Sequence, residues 1–79
     1  MPEIFRLFGF SYFFYSREHE PIHVHVERND GYAVFGFDET EFTLREHHGI
    51  KAKDMKNIQM IINKNKEIII NKWKEHFEP

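Results

Sequence analysis

His23 and His25 form the most chemically suggestive pattern in the sequence, because they alternate with valines in a predicted β-strand. Side chains two positions apart on a strand point to the same face, with Cα atoms roughly 6.6 Å apart at ~3.3 Å per residue. Two imidazoles so placed can converge on one metal ion at ~2.0–2.1 Å. One hypothesis is therefore a divalent metal site, such as a zinc site, with both histidines as ligands.

A third ligand for this site has several candidates in the sequence. His19 precedes the strand, Glu27 extends the same face, and the adjacent His47 and His48 lie further along the chain. Neighbouring positions on an extended chain point apart, so at most one of that pair can join a common site. Three protein ligands would leave one position open for water, as in catalytic zinc sites.

A second hypothesis is acid–base catalysis without a metal. His23, His25 and Glu27 are then the catalytic candidates, with Arg28 and Tyr32 close in sequence. In RNA cleavage, one imidazole would remove the 2′-hydroxyl proton and another would protonate the leaving oxygen. A third interpretation assigns the histidines a structural role only, because histidines on a solvent-facing strand often bond to backbone or aromatic neighbours. The spacing does not decide among these three, and whether the protein is an enzyme stays open.

Composition narrows the remaining classes of function. The chain has 79 residues, which is the size of one domain, and we expect residues 1–79 to form it. It contains no cysteine, which excludes disulfides and thiolate metal ligands. We find no phosphate-binding glycine loop, nucleophile elbow, signal peptide or long apolar segment. We therefore expect a cytoplasmic protein without a membrane partner.

The elements that must position the histidines are predicted to be antiparallel strands. Alternation and turn residues predict strands over residues 4–8, 10–15, 22–28 and 32–38, with Phe42 and Leu44 as a short fifth strand. Gly9 marks a bend, and Asn29-Asp30-Gly31 supplies residues that tolerate the positive φ of a primed hairpin turn. A meander over about residues 3–45 is the simplest assembly.

The C-terminal third changes to a helical period. One apolar stripe predicts a helix over about residues 53–77, formed by Met55, Ile58, Ile62, Ile69 and Trp73. Asn63 and Asn65 are weak helix formers that could mark a break. Because the stripe keeps its phase across them, we predict one long helix. The fold class is α+β, and Val24, Val26, Phe35 and Phe37 should face the helix in the core.

The sequence has more apolar side chains than one sheet and one helix can hide. Met60, Ile61, Ile68 and Ile70 lie outside the stripe, and residues 11–15 are apolar on both faces. The sheet could curl around the helix, or the surplus could be covered by a second copy or by another small protein. Residues 51–79 carry seven lysines and four acids, which supports nucleic-acid binding only weakly.

The segments Ile4–Gly9 and Glu18–Val26, the Gly31–Asp38 strand and a helix ending near Trp73 resemble a small prokaryotic family, domain of unknown function 4160. The most specific part is the set His19, Pro21, His23 and His25. The family commonly has a second proline where this chain has Ile22. The resemblance implies a short stand-alone protein without an established activity, often encoded beside another small protein in a toxin–antitoxin-like pair.

We therefore expect a small protein-interaction module that forms a homodimer or binds a neighbour-encoded partner. The alternative is a histidine-based site that binds metal or hydrolyses RNA. Its metal-ligand candidates are His19, His23 and His25.

Overall fold

The computed structural model describes residues 3–14 and 22–77. Five antiparallel strands form one sheet in the order β1-β2-β3-β4-β5, and two helices follow them, which confirms the α+β class. The elements are β1 Glu3–Leu7, β2 Phe10–Phe13, β3 His23–Arg28, β4 Gly31–Phe37, β5 Phe42–His48, α1 Ala52–Lys64 and α2 Lys66–Phe77. Neither helix in these described ranges is long and apolar enough to cross a lipid bilayer.

Two of the hairpins have two-residue turns that contain positive φ angles. Phe8 and Gly9 join β1 to β2 with φ of 52° and 81°. Both values are typical of a type I′ turn, whose twist matches that of the strands. Between β3 and β4 the positive φ is at Asn29, at 53°. Asparagine tolerates this conformation well, whereas a phenylalanine there is uncommon.

Gly31 serves a different purpose from the one that the sequence predicts. It is the first residue of β4 and is buried. A Cβ atom at Gly31 would lie 2.6 Å from the carbonyl oxygen of Gly49, so the close approach of two backbones requires glycine here. The contact fixes the chain just after β5 beside the start of β4.

Strand β5 is longer than predicted and contains a β-bulge. Leu44 pairs with Phe35, but Glu46 pairs with the preceding residue Val34, so that Arg45 is an extra residue. A bulge reverses the inward and outward alternation of every residue that follows it. Glu46 and His48 therefore lie on the face opposite to that of Leu44, and the sheet extends to His48, beyond the end predicted near residue 45.

The prediction of one long helix is also wrong, because α1 and α2 are separated at Asn65. The Asn65 backbone N–H is shared between the carbonyl oxygens of Ile61 and Ile62, at 3.1 and 3.2 Å. Its side-chain amide donates to the Ile61 carbonyl at 2.7 Å, and its φ of −115° is not helical. An asparagine side chain that bonds to the preceding turn competes with the helical hydrogen bonds, which explains the break.

Both helices bury their apolar residues against one face of the sheet, which we call the covered face. The fully buried residues of the helices include Ile58, Ile62, Ile69 and Trp73, as predicted, and Met55 is partly buried beside them. Val24, Val26 and Phe35 are also buried, and Phe37 is partly buried. Ile61, which the sequence placed among the surplus, is buried too. Much of the apolar surplus is therefore absorbed within one chain.

Tyr12 lies on the covered face among large apolar side chains. Its side chain is completely buried, and its hydroxyl has no hydrogen-bond partner among the described residues. Its ring packs on Phe5, with centroids 4.7 Å apart. Burial raises the pKa of Tyr12 to about 12, because the charged phenolate is disfavoured away from water.

Candidate functional site

The face of the sheet opposite the helices, which we call the open face, collects most of the predicted site residues. Strand registry places His25 and Glu27 of β3 on the same face as Tyr32 and Val34 of β4. The bulge adds Glu46 of β5 beside Val34. These side chains border a shallow depression of about 280 Å³, which is floored by β4.

The two predicted histidines lie close together. The ring centroids of His23 and His25 are 5.4 Å apart, and both residues are half-buried. Two imidazoles bound at ~2.1 Å to one tetrahedral ion have centroids roughly 5 Å apart, so the observed separation is compatible with a shared metal. The rings also have aromatic neighbours. His25 stacks on Phe13 at 5.5 Å, and His23 is 5.8 Å from Trp73.

A third metal ligand is not found in the part of the chain that the structure describes. Residues 3–14 and 22–77 contain no cluster of three or more histidine or carboxylate side chains that could hold a metal. Glu27 is exposed at the end of β3 that is further from His23. His19 lies outside the described residues. The metal site with His19, His23 and His25 therefore stays a prediction.

Tyr32 and Glu46 form a defined polar pair on the open face. The Tyr32 hydroxyl donates a hydrogen bond to the Glu46 carboxylate at 2.8 Å. The bond and the negative charge of Glu46 raise the pKa of Tyr32 above its usual value. His48 stacks on Tyr32, with centroids 6.0 Å apart, whereas His47 pairs with Ala33 on the other face. Only one of the adjacent histidines thus joins this surface.

Sequence reasoning missed Glu46 because its position depends on the bulge. Simple alternation from Leu44 places Glu46 on the covered face, and only the extra residue Arg45 moves it to the open face. Phe13 was also missed as a neighbour of His25. Phe13 is only 3% exposed although it lies on the open face. Its ring stacks on the imidazole of His25, and this contact restricts the orientation of the imidazole.

The β1–β2 turn is a second unusual feature, and the sequence did not identify it as a candidate site. Phe8 is 80% exposed and Leu7 is 39% exposed. The side chain of Arg28 contacts this turn. Its guanidinium lies 4.1 Å above the ring of Phe10 and donates a hydrogen bond to the Phe8 carbonyl oxygen at 3.5 Å. The same side chain forms an ion pair with Asp54 of α1 at 2.9 Å.

Residues 9–74 match the family described as "Domain of unknown function (DUF4160)", which covers most of the chain. The chain belongs to this family. The resemblance read from the sequence is thereby confirmed. The DUF4160 match includes His23, His25, Tyr32 and Glu46, and Phe8 immediately precedes it. No curated protein and no solved structure matches the chain at a significant level.

Proposed function

We propose that this DUF4160 protein is a small cytoplasmic protein-interaction module and that its anchor is the β1–β2 turn. The observation that carries the proposal is Phe8, whose ring is 80% exposed although its backbone has a φ of 52°. A left-handed conformation costs a non-glycine residue roughly 1–2 kcal/mol. Packing of the Phe8 ring within the chain offsets little of this conformational cost, because the ring is largely in water.

Binding would change this balance. Burying a phenylalanine side chain contributes about 1.5–3 kcal/mol, and aromatic anchors that fill a partner's pocket are typical of binding hot spots. Arg28 supports such a role by linking the turn to Asp54 at the start of α1. An anchor that is already held in place loses less conformational entropy on binding than a mobile one. Candidate partners are a second copy of the chain and a small protein encoded beside it, as the family resemblance implies, in a toxin–antitoxin-like pair.

Phe8→Asn tests the proposal because it separates folding from binding. Asn-Gly is the preferred sequence for a type I′ turn, so the variant should be at least as stable as the parent. The test measures self-association by light scattering and binding to the neighbour-encoded protein by calorimetry. We expect association with one of these partners to weaken at least ~10-fold, which is about 1.4 kcal/mol. Full affinity in a well-folded Phe8→Asn variant would contradict the proposal.

His76→Asn is the matched control for this experiment. It also replaces an exposed ring by asparagine, but it lies in α2 and not in the turn. If both variants lose binding equally, the loss of any exposed ring explains the result and the turn is not a specific anchor.

A histidine-based site is the second candidate, and the 5.4 Å separation of the His23 and His25 rings favours it. Elemental analysis of the untagged protein after incubation with zinc tests metal binding. We expect one equivalent in the parent and none in His23→Ala/His25→Ala. The control is His47→Ala/His76→Ala, which also removes two histidines but none from the pair. Metal retained equally by both variants would contradict this site.

Single substitutions test the acid–base alternative. RNA cleavage by His23, His25 and Glu27 should persist in the presence of a chelator and disappear in His25→Gln and in Glu27→Gln. Activity that survives both substitutions would belong to a contaminating nuclease.

A further inference from the structure

The outer surface of the helices carries a regular row of alternating charged and apolar residues. The row has a spacing of four residues and consists of Lys56, Met60, Lys64, Ile68 and Lys72. All five side chains are exposed. Met60 is 50% exposed and Ile68 is 49% exposed, so two of the four large exposed hydrophobic residues among the described residues belong to this row.

The row continues across the break between α1 and α2. The Asn65 backbone N–H bonds to the Ile61 carbonyl, and the Ile69 N–H bonds to the Asn65 carbonyl at 3.0 Å. Both bonds have the four-residue spacing of an α-helix, so helical hydrogen bonding runs past Asn65 although the φ of that residue is not helical. At ~1.5 Å per residue, successive members of the row lie roughly 6 Å apart along the axis. Such a row is a ridge of the kind that packs into a groove of another helix. Because four residues exceed one turn of 3.6 residues, the ridge winds round the helix by about 40° per step, and its central members Met60, Lys64 and Ile68 are the ones that a single partner helix can contact together.

We propose that this Lys56–Lys72 ridge is the docking surface for an acidic amphipathic helix of a different protein. The inference rests on the proposed function and assigns it a second contact surface and a partner chemistry. Each apolar residue of the ridge lies between two lysines. A partner helix with apolar residues flanked by carboxylates would bury Met60 and Ile68 and pair with the lysines.

Charge complementarity favours an acidic partner over a second copy. Residues 51–77 present six exposed lysines but only two exposed carboxylates, Glu67 and Glu75. In a two-fold symmetric dimer the same patch meets itself, which would place the ridge lysines of one copy near those of the other. Like charges across an interface are unfavourable, so this ridge selects against self-association.

The apolar residues favour a protein over nucleic acid or membrane. Phosphate groups would be recognised by the lysines alone, and Met60 and Ile68 offer no aromatic ring on which a base could stack. A helix that lies in a membrane surface needs a broad apolar face. Here the broad apolar face, which includes Ile58, Ile62 and Trp73, is already buried against the sheet.

The test uses defined peptides and the complete chain. The probe is a fluorescently labelled helical peptide of about 20 residues with alternating leucine and glutamate along one four-residue row. Its binding is measured by fluorescence anisotropy. The comparison probes are the same peptide with lysine for glutamate, the same peptide with serine for leucine, single-stranded DNA, and vesicles with anionic lipid.

Two double variants with the same change in net charge locate the site. Lys56→Glu/Lys64→Glu alters the ridge, whereas Lys51→Glu/Lys74→Glu alters exposed lysines outside it. We expect the first to weaken binding of the acidic peptide at least ~10-fold and the second to weaken it less than ~3-fold. Met60→Gln/Ile68→Gln should also weaken binding, because the acidic peptide would lose its apolar contact.

The outcomes distinguish failure of this inference from failure of the proposed function. Equal loss in the two charge variants, or equal affinity for the serine-containing peptide, would reduce the ridge to a general basic surface and overturn the inference. Tighter binding to DNA or vesicles than to the peptide would also overturn it. Phe8→Asn should retain the peptide, because the ridge and the turn are separate contacts. If only the peptide fails to bind, while a Phe8-dependent partner still binds, the proposed function stands and the ridge does not.

Discussion

The two faces of the sheet use the same residue type in opposite ways, and their tyrosines show the difference most clearly. On the covered face, Tyr12 is completely buried and its hydroxyl has no partner among the described residues. On the open face, the half-buried Tyr32 donates its hydroxyl to Glu46 at 2.8 Å. Both have a raised pKa, but the cause for Tyr12 is burial, and the main cause for Tyr32 is the bonded carboxylate.

This comparison indicates a different physical role for each face of the sheet. The covered face fills space with large rings, and packing there outweighs an unsatisfied hydroxyl that costs about 1–3 kcal/mol. The open face holds polar groups in defined pairs and stacks, including His25 on Phe13 and His48 on Tyr32. Substitutions should therefore change stability on the first face and local electrostatics on the second.

The largest effect should come from Trp73→Ala on the covered face. Trp73 is 1% exposed and contacts Phe14 and Phe77, with ring centroids 5.2 and 4.2 Å away. Removing so large a buried side chain should lower the free energy of unfolding by ~3–5 kcal/mol. That is most of the stability expected of a domain this small. Urea unfolding followed by circular dichroism measures the change.

Ile68→Ala is the matched control for Trp73→Ala. Ile68 lies one turn and a half earlier in the same helix but is 49% exposed, so its loss should change stability by less than ~0.5 kcal/mol. If Trp73→Ala unfolds at the same urea concentration as the parent, that result would contradict the burial of Trp73 between α2 and the sheet.

The covered face was largely predictable from the sequence because it depends on periodicity. The apolar stripe of the helix and the alternation of Val24 and Val26 directly identify the residues that become buried on folding. The open face was only half predictable. His23, His25 and Glu27 follow from simple alternation, whereas Glu46 and His48 depend on one extra residue in β5. Where a bulge is placed depends on pairing with another strand, which periodicity within β5 does not encode.

The helix break and the β1–β2 turn were missed for related reasons. The side-chain amide of Asn65 bonds to the Ile61 carbonyl, which a helical backbone N–H would otherwise use alone. Whether an asparagine makes this bond depends on its surroundings in the fold and not on the apolar period of the sequence. Phe8 was read as the end of an apolar strand. Its exposure becomes visible only once Leu7 is seen to pair with Phe10, which leaves Phe8 and Gly9 in the turn.

Tyr12→Phe should have the next largest effect, and its size should depend on pH. At neutral pH, removal of a buried hydroxyl that has no hydrogen-bond partner within residues 3–14 and 22–77 should stabilise the chain by about 1 kcal/mol. Burial raises the pKa of Tyr12 from an ordinary 10.0 to about 12. Between these pH values the unfolded chain loses the Tyr12 proton while the folded chain keeps it.

The parent should therefore lose stability as pH rises from about 10 to about 12, by ~1.4 kcal/mol per pH unit from this group. In Tyr12→Phe this contribution is absent, so its advantage over the parent should grow with pH. Denaturant unfolding at neutral and alkaline pH gives both slopes. Parallel pH profiles for parent and variant would show that the Tyr12 hydroxyl is not desolvated.

Glu46→Gln should have the smallest effect on stability and the clearest effect on the open face. The substitution keeps the shape and an acceptor oxygen but removes the negative charge beside Tyr32. The pKa of Tyr32 should then fall towards its usual value, because the carboxylate that favours the protonated phenol is gone. NMR titration of labelled tyrosine rings measures this directly, with Tyr12 as the internal reference that should not change.

Salt sharpens the same comparison between the two tyrosines. Because Glu46 is exposed, its charge is screened, and raising the ionic strength of the parent should move the pKa of Tyr32 in the direction that Glu46→Gln does. The pKa of Tyr12 has burial as its cause and should not respond to salt. A salt response at Tyr12 as large as that at Tyr32 would mean that the two faces do not differ in the way their contacts indicate.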